Sequence, residues 1–280
     1  ALFEPYSRRT DTLESMIIKM YSKGITTREI ADLVERMYGD YYSPTTVSNI
    51  TKQVGNLVEE FHNRTFKHSQ YVCVFLDATY IPLKRGTVER EAVNIAIGIR
   101  SDGGKEVLDF SVAPNENGEA WRELLESLCN RGIEQVQLFI ADGFIGLENV
   151  IAEIYPTAKF QRCLVHVLRN LTSHVRKSDM RDLMSEFKEI RQSESIEEAK
   201  QALDNFILKW ESKYSNQMRK LGKLNNLFTF YEFPPSIRAS IYSTNLIEAF
   251  NKKLKKKIRQ KEQFPNEDAL QRFVTTQILE

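Results

Sequence analysis

The sequence predicts an α/β protein in which a mixed five-stranded sheet is preceded by a helical N-terminal region and followed by a long helical tract. Two observations carry this. β-type runs are confined to residues from about 71 to 163, with helical apolar spacing on both sides. Within that window three strand-like runs come in succession, and the next two alternate with helices. A chain of 280 residues, 41% hydrophobic, has ample material for a core.

The elements follow in order. "DTLESMIIKMYSKG" places Leu13, Met16, Ile17 and Met20 at helical spacing and stops at Gly24. "TTREIADLVERMYG" opens with Thr26 and Glu29 in capping-box register, and "SPTTVSNITKQV" starts a third helix with Ser43 as N-cap and Pro44 in the first turn. This is a helix-turn-helix pattern over residues 1–66, with Thr45, Thr46, Ser48, Asn49 and Lys52 in position to meet DNA. Residues 1–64 hold eight basic and nine acidic side chains, so the electrostatic footprint is weak. A small helical bundle packed on the next domain is the alternative.

From residue 67 to 171 the pattern is that of a sheet. "YVCVFLDATYI", "AVNIAIGIR" and "KEVLDFSVA" read as an antiparallel meander, with "SDGG" as a hairpin turn. The helix "GEAWRELLESLCNRG", the strand "VQLFIAD", the helix "GLENVIAEIY" and the short strand "AKFQRC" complete the order of an RNase H-like fold. Residues 172–236 are helical in pattern and charge-balanced, and Pro234-Pro235 marks a break. In 237–280, "SIRASIYSTNLIEAFNKKLKKKIRQK" reads as one long helix and "NEDALQRFVTTQILE" as another.

Composition narrows the function. No run approaches the roughly 18 apolar residues of a membrane helix, and the start lacks the blocks of a signal peptide, which makes a cytosolic or nuclear location the default. Cys73, Cys129 and Cys163 have no paired spacing, which fits a reducing compartment. The chain opens on Ala1 and ends in a helical pattern, so it reads as a fragment of a longer protein. Net charge is only +1, yet residues 251–261 hold seven Lys or Arg and no acid.

Asp77 closes the first strand and Asp142 closes the fourth. An Asp at a strand end is commonly a turn residue or helix N-cap. If the first and fourth strands are neighbours, however, the two carboxylates meet, repel, and call for a cation between them. A third acid, Glu248, leads a stripe with Lys252, Lys255 and Arg259, next to an apolar stripe of Ile247, Phe250, Leu254 and Ile258. An ordinary Glu248–Lys252 i,i+4 pair is the alternative there. Hard oxygen donors suit Mg²⁺ or Mn²⁺, and two such ions about 3.5 to 4 Å apart can activate a water or 3′-hydroxyl and stabilise a leaving oxygen.

"LDATYIPL", the segment from "ENGEAWRELL" through "CLVHVLRN", and "YSTNLIEAFNKKLKKK" together resemble the Mutator-type DNA transposases, in particular their bacterial insertion-sequence branch. The likeness runs from about Tyr71 to Pro265 and is strongest at 114–170 and 240–258. The resemblance implies that Asp77, Asp142 and Glu248 form an Asp-Asp-Glu metal site for two Mg²⁺ or Mn²⁺ ions. It also implies a helical insertion between the second Asp and the Glu, which here stand 106 positions apart.

Cys163 and His166 match a Cys/Asp-x-x-His motif of that family. This implies that His166 lies near the catalytic centre, a packed core His being the alternative, with Cys163 a small buried neighbour. Trp121 matches a family aromatic, where plain core packing is the competing reading. Arg162 and Arg169 flank the Cys-His pair as phosphate contacts or solvated salt bridges. The basic run Lys252, Lys253, Lys255, Lys256, Lys257 and Arg259 would hold phosphates without reading sequence.

The implied activity is metal-dependent cleavage at the ends of a mobile element and 3′-OH strand transfer. Terminal inverted repeats and target DNA would be the partners of a homodimer in the bacterial cytoplasm, associated with the nucleoid. A transposase-derived DNA-binding protein without catalysis and a nuclease that cuts without joining are the competing readings; the first can lose acids that this chain keeps.

Overall fold

The computed structural model describes residues 4–39, 41–52, 54–144, 146–259, 261 and 263–279, with side chains from Leu13 onward. Its centre is a five-stranded sheet. β1 (Gln70–Lys84), β2 (Val88–Ile99) and β3 (Lys105–Ala113) form an antiparallel meander turned at residues 85–87 and 100–104. α5 (Gly118–Asn130), capped by the Asn117 side chain on the Ala120 N–H, carries the chain to β4 (Gln135–Ala141), which pairs parallel with β1. α6 (Leu147–Ile154) leads to β5 (Lys159–Arg162), parallel to β4, giving the order β3-β2-β1-β4-β5. The first and fourth strands are therefore neighbours, as expected.

Both faces of the sheet are covered, which explains strands that are continuously apolar rather than alternating. Val74 and Leu76 of β1 pack with Phe139, Trp121, Leu125 and Ile151 under α5 and α6. Cys73, Phe75, Leu138 and Ile140 face the opposite layer of helices. β1 runs well past the end expected for it, so Asp77 stands mid-strand rather than at its close. The reason is visible in burial. Residues 73–76 are buried on both sides, whereas beyond Asp77 only Thr79, Ile81 and Leu83 are buried, in strict alternation, because a second face is no longer covered.

Four helices precede the sheet: α1 (Glu4–Ser22), α2 (Thr27–Tyr38), α3 (Pro44–Lys52) and α4 (Gly55–Asn63). The Thr26–Glu29 capping box is formed, and α2 ends on Gly39 in the left-handed conformation (φ 71°). Ser43 Oγ caps α3 by accepting the Thr46 N–H at 3.0 Å. Ile17, Ile30, Val34, Val47 and Ile50 close the small core of this region. It is tied to the rest of the chain by α12 (Glu267–Leu279), where the Tyr21 hydroxyl donates to the Ala269 carbonyl at 3.1 Å.

After β5 come α7 (Leu164–Thr172), α8 (Lys177–Arg191) and α9 (Ile196–Leu221), the last kinked at Tyr214 (φ −134°, ψ 48°). α8 and α9 pair through Phe187, Phe206 and Trp210, and the Trp210 indole donates to Glu186 at 3.0 Å. The chain then returns across β5. The Arg162 N–H donates to Asn226 O at 2.9 Å, and the buried Gln161 side chain donates to Leu227 O and accepts the Phe230 N–H at 2.8 Å.

The single long helix expected after the proline pair is instead two, α10 (Pro235–Ile241) and α11 (Asn245–Ile258). The break at 242–244 buries Ser243 and Thr244, and the Thr244 N–H and Oγ1 both approach Cys163 Sγ, at 3.3 and 3.2 Å. This fastens the start of α11 to the start of α7. Among the described residues no helix is long and apolar enough to cross a membrane.

Gln161 is the buried fastening for the return segment. Replacing it by Ala leaves the Phe230 N–H and Leu227 C=O unpaired, so Gln161→Ala is expected to cost about 1–3 kcal/mol in denaturant unfolding, with Asp77 and Asp142 untouched.

Candidate active site

Parallel pairing of β1 with β4 proceeds in the register Phe75↔Ile140. Two residues further along each strand stand Asp77 and Asp142, so both lie on the face to which Phe75 and Ile140 point, immediately past the last residue of β4. The next residue, Gly143, has φ 83°, and a Cβ there would overlap the Arg162 guanidinium. The chain thus turns sharply after Asp142 in a way that only glycine fits.

The opposite wall is helical. α11 lies against β1 with Ile247, Leu254 and Ile258 buried, and Asn251 rather than Phe250 completes its inner stripe. Asn251 Nδ2 donates to Asp77 Oδ2 at 2.7 Å, which fixes the carboxylate plane and leaves its other oxygen for another partner. Glu248, one turn earlier on α11, approaches His166 Nε2 at 3.1 Å and Arg169 at 3.3 Å. His166 Nδ1 stands 3.3 Å from Thr244 Oγ1 and 3.8 Å from Asp142. His166 therefore lies between the second Asp and the Glu, and is not merely packed in the core.

Electrostatics follow from this crowding. Burial pushes the Asp77 carboxyl up to about 6; the Asn251 hydrogen bond and His166 oppose the rise, while Glu248 and Asp142 add to it. Burial works against the His166 imidazolium, but contact with Cys163 and the carboxylates of Asp142 and Asp77 lift it to about 9. Cys163 is buried beside it.

The donor set suits a hard divalent cation in chemistry: carboxylate oxygens, one of them on a desolvated acid that Asn251 and His166 compensate only in part. The arrangement fits in part. Among the described residues no three His, Cys, Asp or Glu are gathered as a metal cluster, and Glu248 contacts His166 and Arg169. Asp77 and Asp142 would hold the ion, and Glu248 would have to leave its basic partners to join them.

The remaining residues singled out by sequence fall into three groups. Lys252, Lys255, Lys256 and Arg259 line a groove of about 510 Å³ that also holds Asp77, Glu248 and Arg169. Lys253 is exposed outside the groove lining and Lys257 is half-buried. Arg162 is committed to its own neighbours, donating to Gly143 O at 2.8 Å and Asn225 O at 3.3 Å. Thr45, Thr46, Asn49 and Lys52 are exposed on α3, with Ser48 half-buried.

Two side chains near the site were not anticipated. Asn251 was hidden in the basic run. Glu116 accepts a hydrogen bond from the buried Trp121 indole at 3.1 Å; burial raises its carboxyl, and the Asp142 charge adds to that rise. Trp121 is thus core, but core with its one polar group aimed at an acid beside the site.

The sign of the Asp77 shift gives a test. A carboxyl raised in the folded chain holds its proton longer there than when unfolded, so stability is full below about pH 4 and declines as pH rises through about 6. Asp77→Asn, which preserves the Asn251 contact, is expected to stabilise the protein by about 1–3 kcal/mol above pH 6.5 in chelator. Thermal or denaturant unfolding across pH should show that gain vanish below pH 4.

Comparison with known proteins bears on what such a site is for. The model of the family described as "Transposase, Mutator family" matches residues 1–280. The chain is 51% identical over 276 residues to the transposase for insertion sequence element IS905 of Lactococcus lactis, covering 99% of this chain and 70% of that protein. It is 51% identical over 275 residues to the transposase for IS1201 of Lactobacillus helveticus, covering 98% and 74%. A more distant relative, at 29% identity over 98% of this chain and 71% of the other, is the transposase for IS256 in transposon Tn4001 of Staphylococcus aureus. With the family match extending from residue 1 to residue 280, the chain belongs to the Mutator family of transposases.

Proposed function

We propose that this chain is the catalytic part of a DNA transposase that cleaves strands at the ends of its own mobile element and joins the freed 3′-hydroxyl to target DNA. The observation that carries the reading is the β1–β4 register, which aligns Asp77 with Asp142 opposite a helix that bears Glu248 at the head of a basic groove. The order β3-β2-β1-β4-β5, with three antiparallel strands followed by two parallel ones, supports an RNase H-like core. In this reading residues 1–66 form a helix-turn-helix region and 67–171 the first part of the core. Residues 172–236 are the insertion, and 237–280 the rest of the core.

Mg²⁺ or Mn²⁺, two ions per site, would supply charge neutralisation at the scissile phosphate and a lowered pKa for the attacking oxygen. The chain's own groups do the positioning. Asn251 holds one oxygen of Asp77 and would leave the other for an ion. His166, protonated near neutral pH, directs Nε2–H at Glu248 and can pass that hydrogen bond to a phosphate oxygen when Glu248 turns away. Lys252, Lys255, Lys256 and Arg259 bind backbone phosphates along the groove, an interaction without base readout that weakens steeply with salt. Cleavage exchanges a phosphodiester P–O bond for one to water oxygen; joining exchanges a target P–O bond for one to the element's 3′ oxygen.

The substrates would be the terminal inverted repeats of the chain's own element and a target duplex, with Thr45, Thr46, Ser48, Asn49 and Lys52 of α3 toward the repeat. Joining two ends in one event calls for two protomers, hence a homodimer on DNA, in the bacterial cytoplasm at the nucleoid.

Asp142→Asn is expected to abolish strand cleavage on a duplex carrying those repeats while leaving thermal stability and gel-shift affinity close to wild type. Comparable cleavage by the two proteins would remove the carboxylates from the reaction.

A further inference from the structure

The carboxylates stand between two cavities, and only one is accounted for by the groove above. On the other side of His166 and Asp142 lies a cavity of about 670 Å³, between α7, the turn after β4 and the C-terminal part of α9. Asp142 and His166 form one of its walls. Its opposite wall is Asn216, Gln217 and Lys220, placed there because α9 changes direction at Tyr214.

We propose that this cavity receives one unpaired nucleotide of the strand being cut, the nucleotide next to the scissile phosphate, drawn out of the duplex. The inference rests on the strand-cutting reading and adds the ligand of a second subsite. Size comes first. The volume lies in the range of small-molecule sites and is far too small for a duplex.

Continuity comes next. A phosphate at Asp77 and Asp142 has one flank of its strand on Lys252, Lys255 and Lys256, so the other flank is delivered across Asp142 into this cavity. Chemistry agrees. Phe144, half-buried on the wall, offers a face for stacking, worth about 1–3 kcal/mol per base. Glu116, held by the Trp121 indole, and the Gln217 amide present an acceptor and a mixed donor–acceptor to a base edge. Lys220 and Lys223 put positive charge on the same wall, suited to the next phosphate. Extrusion costs unstacking and unpairing, which these contacts offset. The helical hairpin of α8 and α9 thereby brings the far wall of a nucleotide pocket to the carboxylates.

The test uses the full chain and an element-end duplex with 2-aminopurine in place of the base beside the cleaved phosphate. Fluorescence should rise several-fold on binding wild type and equally on Asp142→Asn, which keeps the cavity but not cleavage. It should stay near the free-duplex level on Gln217→Trp and on Leu224→Trp, two fillings from different parts of the wall, each checked by melting temperature and gel-shift affinity. A rise with all four proteins, or with none, overturns the assignment. Equal cleavage by wild type and Asp142→Asn would instead overturn the carboxylate reading, whatever the fluorescence shows.

Discussion

The parallel pairing of β1 with β4 is the constraint on which the rest depends. Its register, Phe75↔Ile140, is enforced on both sheet faces, because a slip of one residue would exchange the side chains facing α5 and α6 with those facing the other layer. That same register sets Asp77 across from Asp142. β4 then stops while β1 continues, held by β2 on one edge and, at its far end, by a bridge from Leu83 to Phe264. Between the end of β4 and that bridge the edge of β1 is open, and α11 lies against this stretch. The notch that holds the carboxylates is what remains when one strand of a parallel pair is shorter than its neighbour.

Holding acids in such a notch opposes folding. Asp77 is desolvated and close to two other carboxylates, and its raised pKa records the cost. The surroundings respond with graded compensation: a neutral amide on Asp77, an imidazole between Asp142 and Glu248, and an arginine on the solvent side of Glu248. The folded chain thus gives up stability locally at Asp77, as expected of a functional centre.

Much of this was legible in the sequence. The strand order was readable because buried parallel strands are short and continuously apolar, and the meander was marked by its turn residues. Asp77 and Asp142 stood out because each interrupts such a run. What escaped has particular causes. Asp77 looked like a strand end because burial on two faces gives way to burial on one at that residue, and a one-sided strand alternates like a loop-bound segment. Asn251 was obscured because a polar residue inside a lysine run gives no sign that it faces inward. The break at 242–244 follows from Thr244 meeting Cys163, 81 positions away in the chain, and the kink at Tyr214 belongs to a helix whose local pattern is unbroken. Contacts of that range leave no periodic trace.

If the β1–β4 register builds a site for a divalent cation, titration calorimetry with Mn²⁺ will detect it without any knowledge of the DNA ends. Wild type is expected to bind Mn²⁺, and Asp77→Asn and Asp142→Asn, both folded, each to lose that binding. Binding unchanged in both variants, or no binding by the wild type, would contradict it.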